Sequence, residues 1–421
     1  MKVVVIGAGL IGLTTAYFLR VRGHEITVID RRPGPGRETS FANAGLLTPG
    51  MPEPWNAPDC WRVLLSSLAR SDSPLQLRWR ALPGLMGWGV RFLRNSNAAR
   101  YRENTIRNVR LALFSLKVLQ DLRKQTGIEY GAAPRGSLKL FRSAEALHDA
   151  VRAADAVLAE GLTLRCLSRE ATIELEPALA PISDRLAGAI HYTADETGDA
   201  HRFCAALTEY VRRQGVIFAF DTTVSRLEVS SGRLAAVQTD KGRFEAEQCV
   251  VAAGSYSTPL LRLLGLRLPV RPVKGYSVTF VAARQASVPK IPILDDDMHA
   301  AVVPIGDAIR VAGTAEFAGY DLALRSARVR NLTNLAQKIL PSAGLDPATA
   351  RPWCGLRAMS ADGVPLIGPT PVRRLWVSTG HGHLGWTMAA GSGELLASLI
   401  SGESVAIDPA PYDPGRFGAD H

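Results

Sequence analysis

The first thirty residues constrain the fold of this chain more than any other segment. The apolar run KVVVI (2–6) is followed at once by the glycine-rich turn GAGLIG (7–12). Residues 13–22 then predict a helix, and residues 24–29 predict a second strand that ends on Asp30. This order of strand, turn, helix, strand and acid is the one that a dinucleotide-binding βαβ unit requires.

Each part of this motif has a physical role. Gly7 allows the tight turn out of the strand, Gly9 lets a pyrophosphate approach the backbone because it has no Cβ, and Gly12 lets the helix pack closely on the strand. The N–H groups at the start of the helix attract phosphate, and Asp30 can accept hydrogen bonds from a ribose. The motif predicts dinucleotide binding but does not by itself distinguish FAD from NAD.

Composition points to an ordinary globular protein. A length of 421 residues predicts two domains, or one domain with a large insertion, and the 47% hydrophobic and 21% charged residues are typical of a chain with a full core. The 5 cysteines lie far apart without a CxxC pair, so neither a disulfide framework nor a zinc site is expected. We expect Asp295-Asp296-Asp297 to form a solvated turn, and no metal site is predicted.

The formal net charge of +10 indicates that the protein binds an anionic partner or ligand. No nucleic-acid recognition motif is present, so we favour an anionic membrane surface, or an anionic substrate and cofactor. Segment 75–94 mixes tryptophans and arginines and can lie in a bilayer interface, or its apolar face can pack on the rest of the protein. No apolar run is long enough to span a bilayer, and the first one lacks a basic leader. We therefore expect a cytoplasmic protein, either free or peripheral on the inner face of the cell membrane.

Hydrophobic periodicity predicts that the chain leaves its nucleotide domain and returns to it more than once. A long helix is predicted at about 98–126, and a further helix at 144–160. Residues 271–317 alternate as in an antiparallel sheet, and a last helix is predicted from about 386 to 400.

Seven segments in a fixed order carry a family resemblance. They are GAGLIG (7–12), SFANAG (40–45), DETGD (195–199), AAGSYS (252–257), PVKGYS (272–277), GLRAMSADG (355–363) and GHGHLGWTMA (380–389). Together they resemble the FAD-dependent D-amino acid oxidase superfamily, and within it the bacterial D-amino acid dehydrogenase (small subunit) family. The resemblance covers nearly the whole chain. Ala358 departs from it, since the family usually has proline there, and Ser360-Ala361 stands where Thr-Pro is usual.

This resemblance implies the fold class and the domains. The fold is expected to be α/β (α+β overall). A Rossmann-like FAD-binding domain is built from residues 1–50, 186–270 and 350–421. A substrate domain with a mostly antiparallel sheet is built from residues 51–185 and 271–349.

The resemblance also implies an activity. The chain is expected to deaminate D-amino acids such as D-alanine to 2-oxo acids and ammonia, with hydride transfer from the α carbon to FAD and electrons passed to a quinone or other acceptor. An O2-using oxidase of glycine, sarcosine or a cyclic imino acid such as D-proline or hydroxy-D-proline is the alternative. Two more distant alternatives are a nicotinamide dehydrogenase and a flavin-binding protein without enzyme activity.

Several residues are expected to act on the substrate. Arg357 is expected to bind the substrate carboxylate, because a guanidinium is a planar bidentate donor; the alternative is a structural salt bridge, for example with Asp362. Tyr276 and Tyr256 are candidates for substrate contact through their hydroxyls, or else core aromatics. His381 can act as a base or as a hydrogen-bonding group.

A larger set is expected to hold FAD noncovalently. The N-terminal N–H groups of the last predicted helix are expected to stabilise the negative charge of the reduced flavin. The residues expected to contact FAD are Gly7, Gly9, Leu10, Ile11, Gly12, Asp30, Arg31, Ser40, Asn43, Ala44, Gly45, Val224, Ala253, Gly254, Gly380, Gly385, Trp386, Thr387 and Met388.

Overall fold

The computed structural model describes residues 1–62, 75–281, 288–295, 297 and 300–418. The strands within them are β1 (Lys2–Ile6), β2 (Glu25–Ile29), β3 (Leu46–Leu47), β4 (Leu75–Leu77), β5 (Ser137–Phe141), β6 (Leu164–Ser168), β7 (Gly188–Tyr192), β8 (Glu196–Thr197), β9 (Ile217–Ala219), β10 (Val224–Ser230), β11 (Arg233–Thr239), β12 (Gly242–Glu245), β13 (Gln248–Val251), β14 (Val270–Val281), β15 (Ile293–Asp295), β16 (Ala300–Ile305), β17 (Ala308–Phe317), β18 (Arg351–Ser360), β19 (Leu366–Pro369) and β20 (Leu375–Thr379). The helices are α1 (Leu10–Val21), α2 (Leu82–Arg94), α3 (Ala98–Thr126), α4 (Ala144–Ala153), α5 (Asp155–Leu158), α6 (Arg169–Leu175), α7 (Ala200–Arg213), α8 (Ser257–Arg262), α9 (Ser326–Ile339) and α10 (Ala389–Ser401).

The glycine-rich motif lies in a six-stranded sheet with the order β19-β20-β13-β1-β2-β9. Strand β1 pairs in parallel with both β2 and β13, β13 pairs in parallel with β20, and only the edge pair β19–β20 is antiparallel. Parallel strands need helices on both faces, which explains why β1 and β13 are almost continuously apolar. The strands come from distant parts of the chain, so the predicted Rossmann-like domain built from discontinuous segments is confirmed.

Small residues allow the helices beside this sheet to approach closely. A Cβ on Gly393 of α10 would lie 2.7 Å from the backbone carbon of Thr14 in α1, and one on Gly391 would lie 2.7 Å from Cβ of Ser115 in α3. The Thr14 hydroxyl donates to the Ala389 carbonyl at 2.8 Å. These glycines therefore serve helix packing. The helix that was expected from residue 386 begins at Ala389.

A nine-stranded sheet forms the other large part of the fold. Its order is β18-β14-β17-β16-β15-β5-β7-β6, with β4 added to β17. The long strand β14 lies antiparallel between β17 and β18. Only the pairs β5–β15 and β4–β17 are parallel. The expectation of a mostly antiparallel substrate-domain sheet is confirmed, and three of its strands reach the region of Arg357.

The two sheets do not divide the chain at the expected domain borders. Segments 186–270 and 350–421 were assigned to the FAD domain, but β7 and β18 belong to the nine-stranded sheet. Segment 51–185 was assigned to the substrate domain, yet leucines of α3 share a core with α1 and α10. Helix α3 therefore connects the two parts of the molecule.

Helix α2 has two apolar faces. Trp88 and Phe92 are buried, and the Trp88 indole donates to the Met359 carbonyl at 3.1 Å. Apolar side chains on the other side are exposed, including Met86 at 71% and, just before the helix, Trp79 at 72%. One face packs on the protein, which is one of the two alternatives given above for segment 75–94. The apolar side chains of the other face pack on no other part of the described chain. In the part of the chain that the structure describes, every helix is too short or too polar to cross a membrane.

Candidate functional site

A single cavity of about 1630 Å³ is lined by residues from both sheets. It extends from Gly9 and Asp30 at the nucleotide motif to Arg357 on β18. Ordinary small-molecule pockets measure about 300–1,000 Å³. The cavity therefore has room for an extended dinucleotide together with a small substrate.

The glycine turn has the geometry that a pyrophosphate needs. Gly7 has a φ of 113°, and a Cβ there would lie 2.5 Å from the Ala252 carbonyl oxygen. A Cβ on Gly12 would lie 1.8 Å from the Gly7 carbonyl oxygen. Gly9 caps α1 without a side-chain hydrogen bond, the first turn contains no acid, and the Leu10 N–H donates to Ser40 Oγ at 3.3 Å. The positive end of the helix is thus left open to an anion.

Asp30 lies at the end of the cavity that is expected to hold adenosine. Its Oδ2 accepts the Ala8 N–H at 2.7 Å, and its Oδ1 accepts the Arg32 N–H at 2.8 Å. Burial raises the pKa of this carboxyl, and the two amides oppose that rise. The Thr222 N–H donates to the Asp30 carbonyl at 3.0 Å, which brings the following strand and Val224 to the same end. Each carboxylate oxygen keeps a second lone pair for a ribose hydroxyl.

Arg31 and Tyr256 contact each other at this adenosine end. The Arg31 guanidinium lies 3.7 Å from the centroid of the Tyr256 ring and forms an ion pair with Glu38 at 2.5 Å. Tyr256 was expected to contact substrate, but this position places it against the nucleotide side of the cavity. Ala253 and Gly254, in the turn before it, also line the cavity.

The loop at 40–45 is held in place from two sides. Asn43 Oδ1 accepts the Gly45 N–H at 3.0 Å, and Gly45 has a φ of 77°. Ser277 on β14 donates its hydroxyl to the Ala42 carbonyl at 2.6 Å. Asn43, Ala44 and Gly45 line the cavity, so the loop presents these residues, which are expected to contact FAD, to the cavity.

The segment before α10 is only partly exposed to the cavity. Gly385 and Trp386 line it, and the buried Trp386 Nε1 has no hydrogen-bond partner among the described residues. Gly380 packs near Leu366, the Thr387 hydroxyl accepts the Thr48 N–H at 3.0 Å, and Met388 is fully buried in the core. The expected cofactor contacts are therefore brought together except for Gly380, Gly12, Thr387 and Met388, which lie outside the cavity lining and support it from behind.

Arg357 lies flat against β14. A Cβ on Gly275 would lie 2.5 Å from the Arg357 Cζ, so only glycine leaves room for the guanidinium there. Its Nη1 donates to the Thr314 carbonyl at 3.0 Å, and its Cζ lies 5.5 Å from the centroid of the Trp55 ring. These contacts fix the plane of the guanidinium at the cavity wall.

The alternative partner of Arg357 is occupied elsewhere. Asp362 accepts from Arg416 through both carboxylate oxygens, at 2.9 and 3.0 Å. Arg357 has no acidic partner among the residues that the structure describes. Burial lowers its pKa to about 10, so the group stays charged at pH 7 but lacks a counter-ion. A half-buried cation of this kind is stabilised when a ligand brings an anion.

The two histidines of the segment before α10 are neutral at pH 7. Burial lowers the pKa of His381 to about 3, and its Nε2 lies 3.0 Å from Ser392 Oγ. Burial and the nearby Arg357 charge lower the pKa of His383 to about 4, and its ring stacks on Trp55 at 5.8 Å. Groups with such low pKa values are weak bases at pH 7. The geometry favours the hydrogen-bonding role for His381.

Tyr276 lines the cavity, but its hydroxyl is bonded to another residue. The hydroxyl donates to Glu316 Oε2 at 2.6 Å, and Glu316 is fully buried and also pairs with Lys274 at 3.1 Å and Arg78 at 2.5 Å. Burial and this carboxylate raise the pKa of the Tyr276 hydroxyl. The contact favours the structural role that was the alternative for this residue.

Sequence reasoning missed three residues around Arg357. They are Trp55, Gly275 and Thr314, and all three line the cavity. Trp55 comes from a proline-rich loop, and Thr314 is one polar residue in an alternating strand, so neither carries a local signal. Gly275 in the middle of a strand was a usable signal, since such a glycine often marks a close approach of another group.

The acidic run at 295–297 does not lie open to solvent throughout. Asp295 is buried, and Arg142 pairs with it and with Asp297. Asp296 lies outside the described residues. The expectation of a fully solvated turn is therefore wrong for Asp295, whose charge is offset by an arginine.

Comparisons with known proteins agree with this geometry. Residues 2–399 match the family described as FAD dependent oxidoreductase. A D-amino acid dehydrogenase of Paramagnetospirillum magneticum is 44% identical over 418 residues, which cover 99% of each chain. One of Rhizobium johnstonii is 42% identical over 418 residues, which cover 99% of this chain and 100% of the relative.

Two enzymes named for their amino acid substrates share this fold. Glycine oxidase from Geobacillus kaustophilus superposes with a TM-score of 0.76 at 24% identity and covers 99% of both chains. L-proline dehydrogenase from P. horikoshii has a TM-score of 0.76 at 20% identity and covers 99% of this chain and 97% of its own. At these identities the likeness establishes the fold alone.

Proposed function

Because the chain belongs to the FAD-dependent oxidoreductase family and is similar to D-amino acid dehydrogenases over nearly its whole length, we propose that it deaminates D-amino acids oxidatively. The products are a 2-oxo acid and ammonia, and the electrons go on to a quinone or other acceptor. The observation that carries the substrate class is Arg357, a half-buried guanidinium without an acidic partner in the described residues, in the cavity that begins at the glycine motif.

Bound FAD supplies the two-electron acceptor for this reaction. The residues that would hold it are those already placed along the cavity, from the N-terminus of α1 and Asp30 to Gly385 and Trp386. The neutral-amine form of the substrate would lose a hydride (two electrons and a proton) from its Cα–H bond to the flavin, which leaves a protonated imino acid. Water then hydrolyses it to the 2-oxo acid and ammonia.

The protein residues contribute binding, orientation and exclusion of water. Arg357 binds the carboxylate through the N–H groups that Thr314 does not use, and this orients the α carbon. Trp55 covers one side of the guanidinium, which keeps its charge out of water and strengthens its pairing. His381 and His383 are neutral, so Arg357 carries the positive charge among these three side chains. This charge favours a substrate whose carboxylate lies beside Arg357.

Flavin reduction without oxygen tests the substrate class. The purified holoenzyme is mixed anaerobically with a panel of D- and L-amino acids, glycine, sarcosine and D-proline. We expect D-alanine or another primary D-amino acid to bleach the flavin at least about tenfold faster than its L enantiomer. Bleaching only by glycine, sarcosine or cyclic imino acids would favour the oxidase alternative, and no bleaching with any amino acid would reject the proposed activity.

The acceptor is tested with the same enzyme in air. A dehydrogenase reoxidises rapidly with a quinone analogue and releases little hydrogen peroxide. An oxidase releases one peroxide for each substrate oxidised. The ratio of these two rates with saturating D-amino acid separates the two.

We further propose that the exposed side of segment 75–94 binds an anionic membrane surface peripherally. Its apolar residues are Trp79, Leu82, Met86, Val90 and Leu93, with exposed fractions between 44% and 72%. Leu82, Met86 and Leu93 also line the cavity, whereas Trp79 and Val90 do not. The same segment carries four arginines and no acid. Arg78 is paired with Glu316, which leaves Arg80, Arg91 and Arg94 for anionic headgroups. Apolar side chains surrounded by arginine are the pattern of an interfacial anchor, since the arginines pair with anionic headgroups.

Vesicle sedimentation tests this surface. The double variant Trp79→Ser/Met86→Ser is expected to bind phosphatidylglycerol-containing vesicles about tenfold or more weakly, since burial of each apolar side chain is worth about 1.5–3 kcal/mol. Phosphatidylcholine vesicles and high salt are expected to weaken binding of the unmodified protein. Leu263→Ser is the control, because Leu263 is 63% exposed in another part of the surface. Equal binding by all three proteins would contradict the assignment.

A further inference from the structure

The cavity continues beyond Arg357 into an apolar part beside α2. Trp55, which covers the Arg357 guanidinium, packs against a hydrophobic cluster that contains Trp88, Phe92 and Phe317. The centroid of the Trp88 ring lies 4.8 Å from that of Phe92 and 5.8 Å from that of Phe317. We call this part of the cavity the α2 arm, and its lining residues are Leu75, Leu77, Leu85, Trp88, Phe92 and Phe317.

The lining of the α2 arm excludes charged ligands. All six side chains are apolar or aromatic, and the one polar atom among them, Trp88 Nε1, already donates to the Met359 carbonyl at 3.1 Å. A phosphate, an ammonium or a carboxylate in the arm would lose its water without gaining a hydrogen-bond partner from these side chains, which costs several kcal/mol. The arm is therefore suited to an apolar molecule and not to the charged ends of an amino acid.

The α2 arm opens at the exposed face of α2. Leu82, Met86 and Leu93 line the cavity, and their exposed fractions lie between 44% and 71%. A side chain that meets both the cavity and solvent marks an opening, so these three residues form the mouth of the arm. The mouth lies on the surface that we propose to contact an anionic membrane.

Arginines beside α2 give this region a positive charge. The Arg271 Nε donates to the Gly84 carbonyl of α2 at 2.8 Å. Burial lowers the pKa of the Arg271 guanidinium, and the nearby charges of Arg262 and Arg91 lower it further. None of these three arginines has an acidic partner in the part of the chain that the structure describes. Anionic lipid headgroups would complement this charge and would bring the apolar interior of the membrane to the mouth.

The inner end of the α2 arm reaches the segment that is expected to hold the flavin. Met359, whose carbonyl accepts the Trp88 indole, forms an isolated β-bridge with His381. A Cβ on Gly382 would lie 2.9 Å from the Met359 Sδ. Since His381 and Gly382 line the cavity, the wall of the arm is continuous with the segment before α10.

We propose that the α2 arm binds the electron acceptor, a lipid-soluble quinone that enters from the membrane through the mouth. The inference rests on the proposed function, from which it takes the quinone acceptor and the membrane-facing surface. The quinone ring accepts two electrons and a proton from reduced, anionic FAD and a second proton from water. It then leaves through the same mouth as the quinol, and FAD returns to its oxidised form. The polar substrate and the apolar acceptor thus use different parts of one cavity.

Two glycines of α2 provide a matched pair of variants. A Cβ on Gly87 or on Gly89 meets no atom within 4 Å, but Gly89 lines the cavity and Gly87 does not. The flavin of each holoenzyme is photoreduced without an amino acid and reoxidised anaerobically by a short-chain ubiquinone in the absence of membranes. Gly89→Phe is expected to slow reoxidation at low quinone concentration about tenfold or more, because its ring occupies the site, whereas Gly87→Phe stays within about twofold of the unmodified enzyme.

Quinone affinity gives a second readout that involves no reaction. The short-chain ubiquinone is titrated into the oxidised holoenzyme, and binding is followed by the quenching of tryptophan fluorescence, to which Trp88 in the arm contributes. Gly89→Phe is expected to raise the Kd about tenfold, and Gly87→Phe is expected to leave it unchanged. Neither measurement uses an amino acid, so both stand even when no D-amino acid reduces the flavin.

A second pair of variants guards against a folding defect in Gly89→Phe. Leu82 and Val90 are both exposed, but only Leu82 of this pair lines the cavity. Leu82→Glu is expected to slow quinone reoxidation about fivefold or more, because a carboxylate at the mouth disfavours an apolar ligand, and Val90→Glu is the control.

Two outcomes would contradict the inference. The α2 arm is not the quinone site if neither Gly89→Phe nor Leu82→Glu slows reoxidation more than its control. The inference is also wrong if Gly89→Phe slows flavin reduction by D-phenylalanine but leaves quinone reoxidation unchanged, since the arm would then hold the side chain of the substrate.

Discussion

Arg357→Met is expected to lower kcat/KM for D-alanine about 10³-fold, or roughly 4 kcal/mol, because truncation of one side of a buried charge pair costs about 2–5 kcal/mol or more. Methionine keeps most of the apolar volume against Gly275, so flavin content should remain unchanged. The kcat/KM of Arg357→Lys is expected to lie between those of the unmodified enzyme and Arg357→Met, since lysine keeps the charge but not the bidentate geometry. Steady-state kinetics and the flavin absorbance of the purified proteins measure both effects.

Stability distinguishes ligand binding from a structural role for this arginine. In the free enzyme the guanidinium is half-buried and has no acidic partner within the described ranges, so its replacement by methionine should leave the free energy of unfolding unchanged or raise it. Asp362→Asn is the control, because it disturbs the pair with Arg416 and should lower stability while KM stays unchanged. An unfolding midpoint that falls in Arg357→Met, with kcat/KM close to normal, would contradict the carboxylate assignment.

Gly12→Ala is expected to yield protein without flavin and with a free energy of unfolding lower by about 3 kcal/mol or more. The added Cβ would lie 1.8 Å from the Gly7 carbonyl oxygen, and this is a contact between two backbone segments that side-chain rotation cannot relieve. Helix α1 must then move away from β1, which also moves its N-terminus from the expected phosphate position. Flavin absorbance per protein and denaturant unfolding measure the loss.

A second helical glycine provides the matched control. A Cβ on Gly87 in α2 meets no atom within 4 Å. Gly87→Ala is therefore expected to keep its flavin and to gain about 0.5–1 kcal/mol, because alanine has less conformational freedom to lose than glycine. Loss of flavin in Gly87→Ala as well, or normal flavin content in Gly12→Ala, would contradict this explanation. Flavin binding would then not depend on the close approach of α1 to β1 at Gly12.

The nucleotide half of the site was largely predictable because its signals are local. The turn from Gly7 to Gly12 and the acid at Asp30 lie within one βαβ unit, and the structure gives them the expected strand, helix and strand. Glycine is required at residues 7 and 12 because a Cβ at either position would clash with a backbone carbonyl oxygen. Helix α3 was also predicted with its observed bounds, because its apolar side chains recur near the helical period.

The substrate half was predictable only in part, because its residues meet through pairing of distant strands. Arg357 could be singled out by the chemistry of its guanidinium, but nothing near it in sequence indicated that Asp362 would pair with Arg416. The hydrogen-bond partner of the Tyr276 hydroxyl was equally undetermined until the folded sheet brought Glu316 Oε2 within 2.6 Å of it. Burial of these groups, which sets their charge and partners, depends on the assembled sheet.

By itself, the sequence determined the dinucleotide motif and its order of elements, since these follow from steric limits on neighbouring residues. Only the tertiary structure decided which groups face the substrate. The register of β14 between β17 and β18 creates a β-bulge at Thr314 and leaves Gly275 beneath Arg357. A shift of one residue in that register would turn every side chain to the other face, and such a register is a property of the folded sheet as a whole.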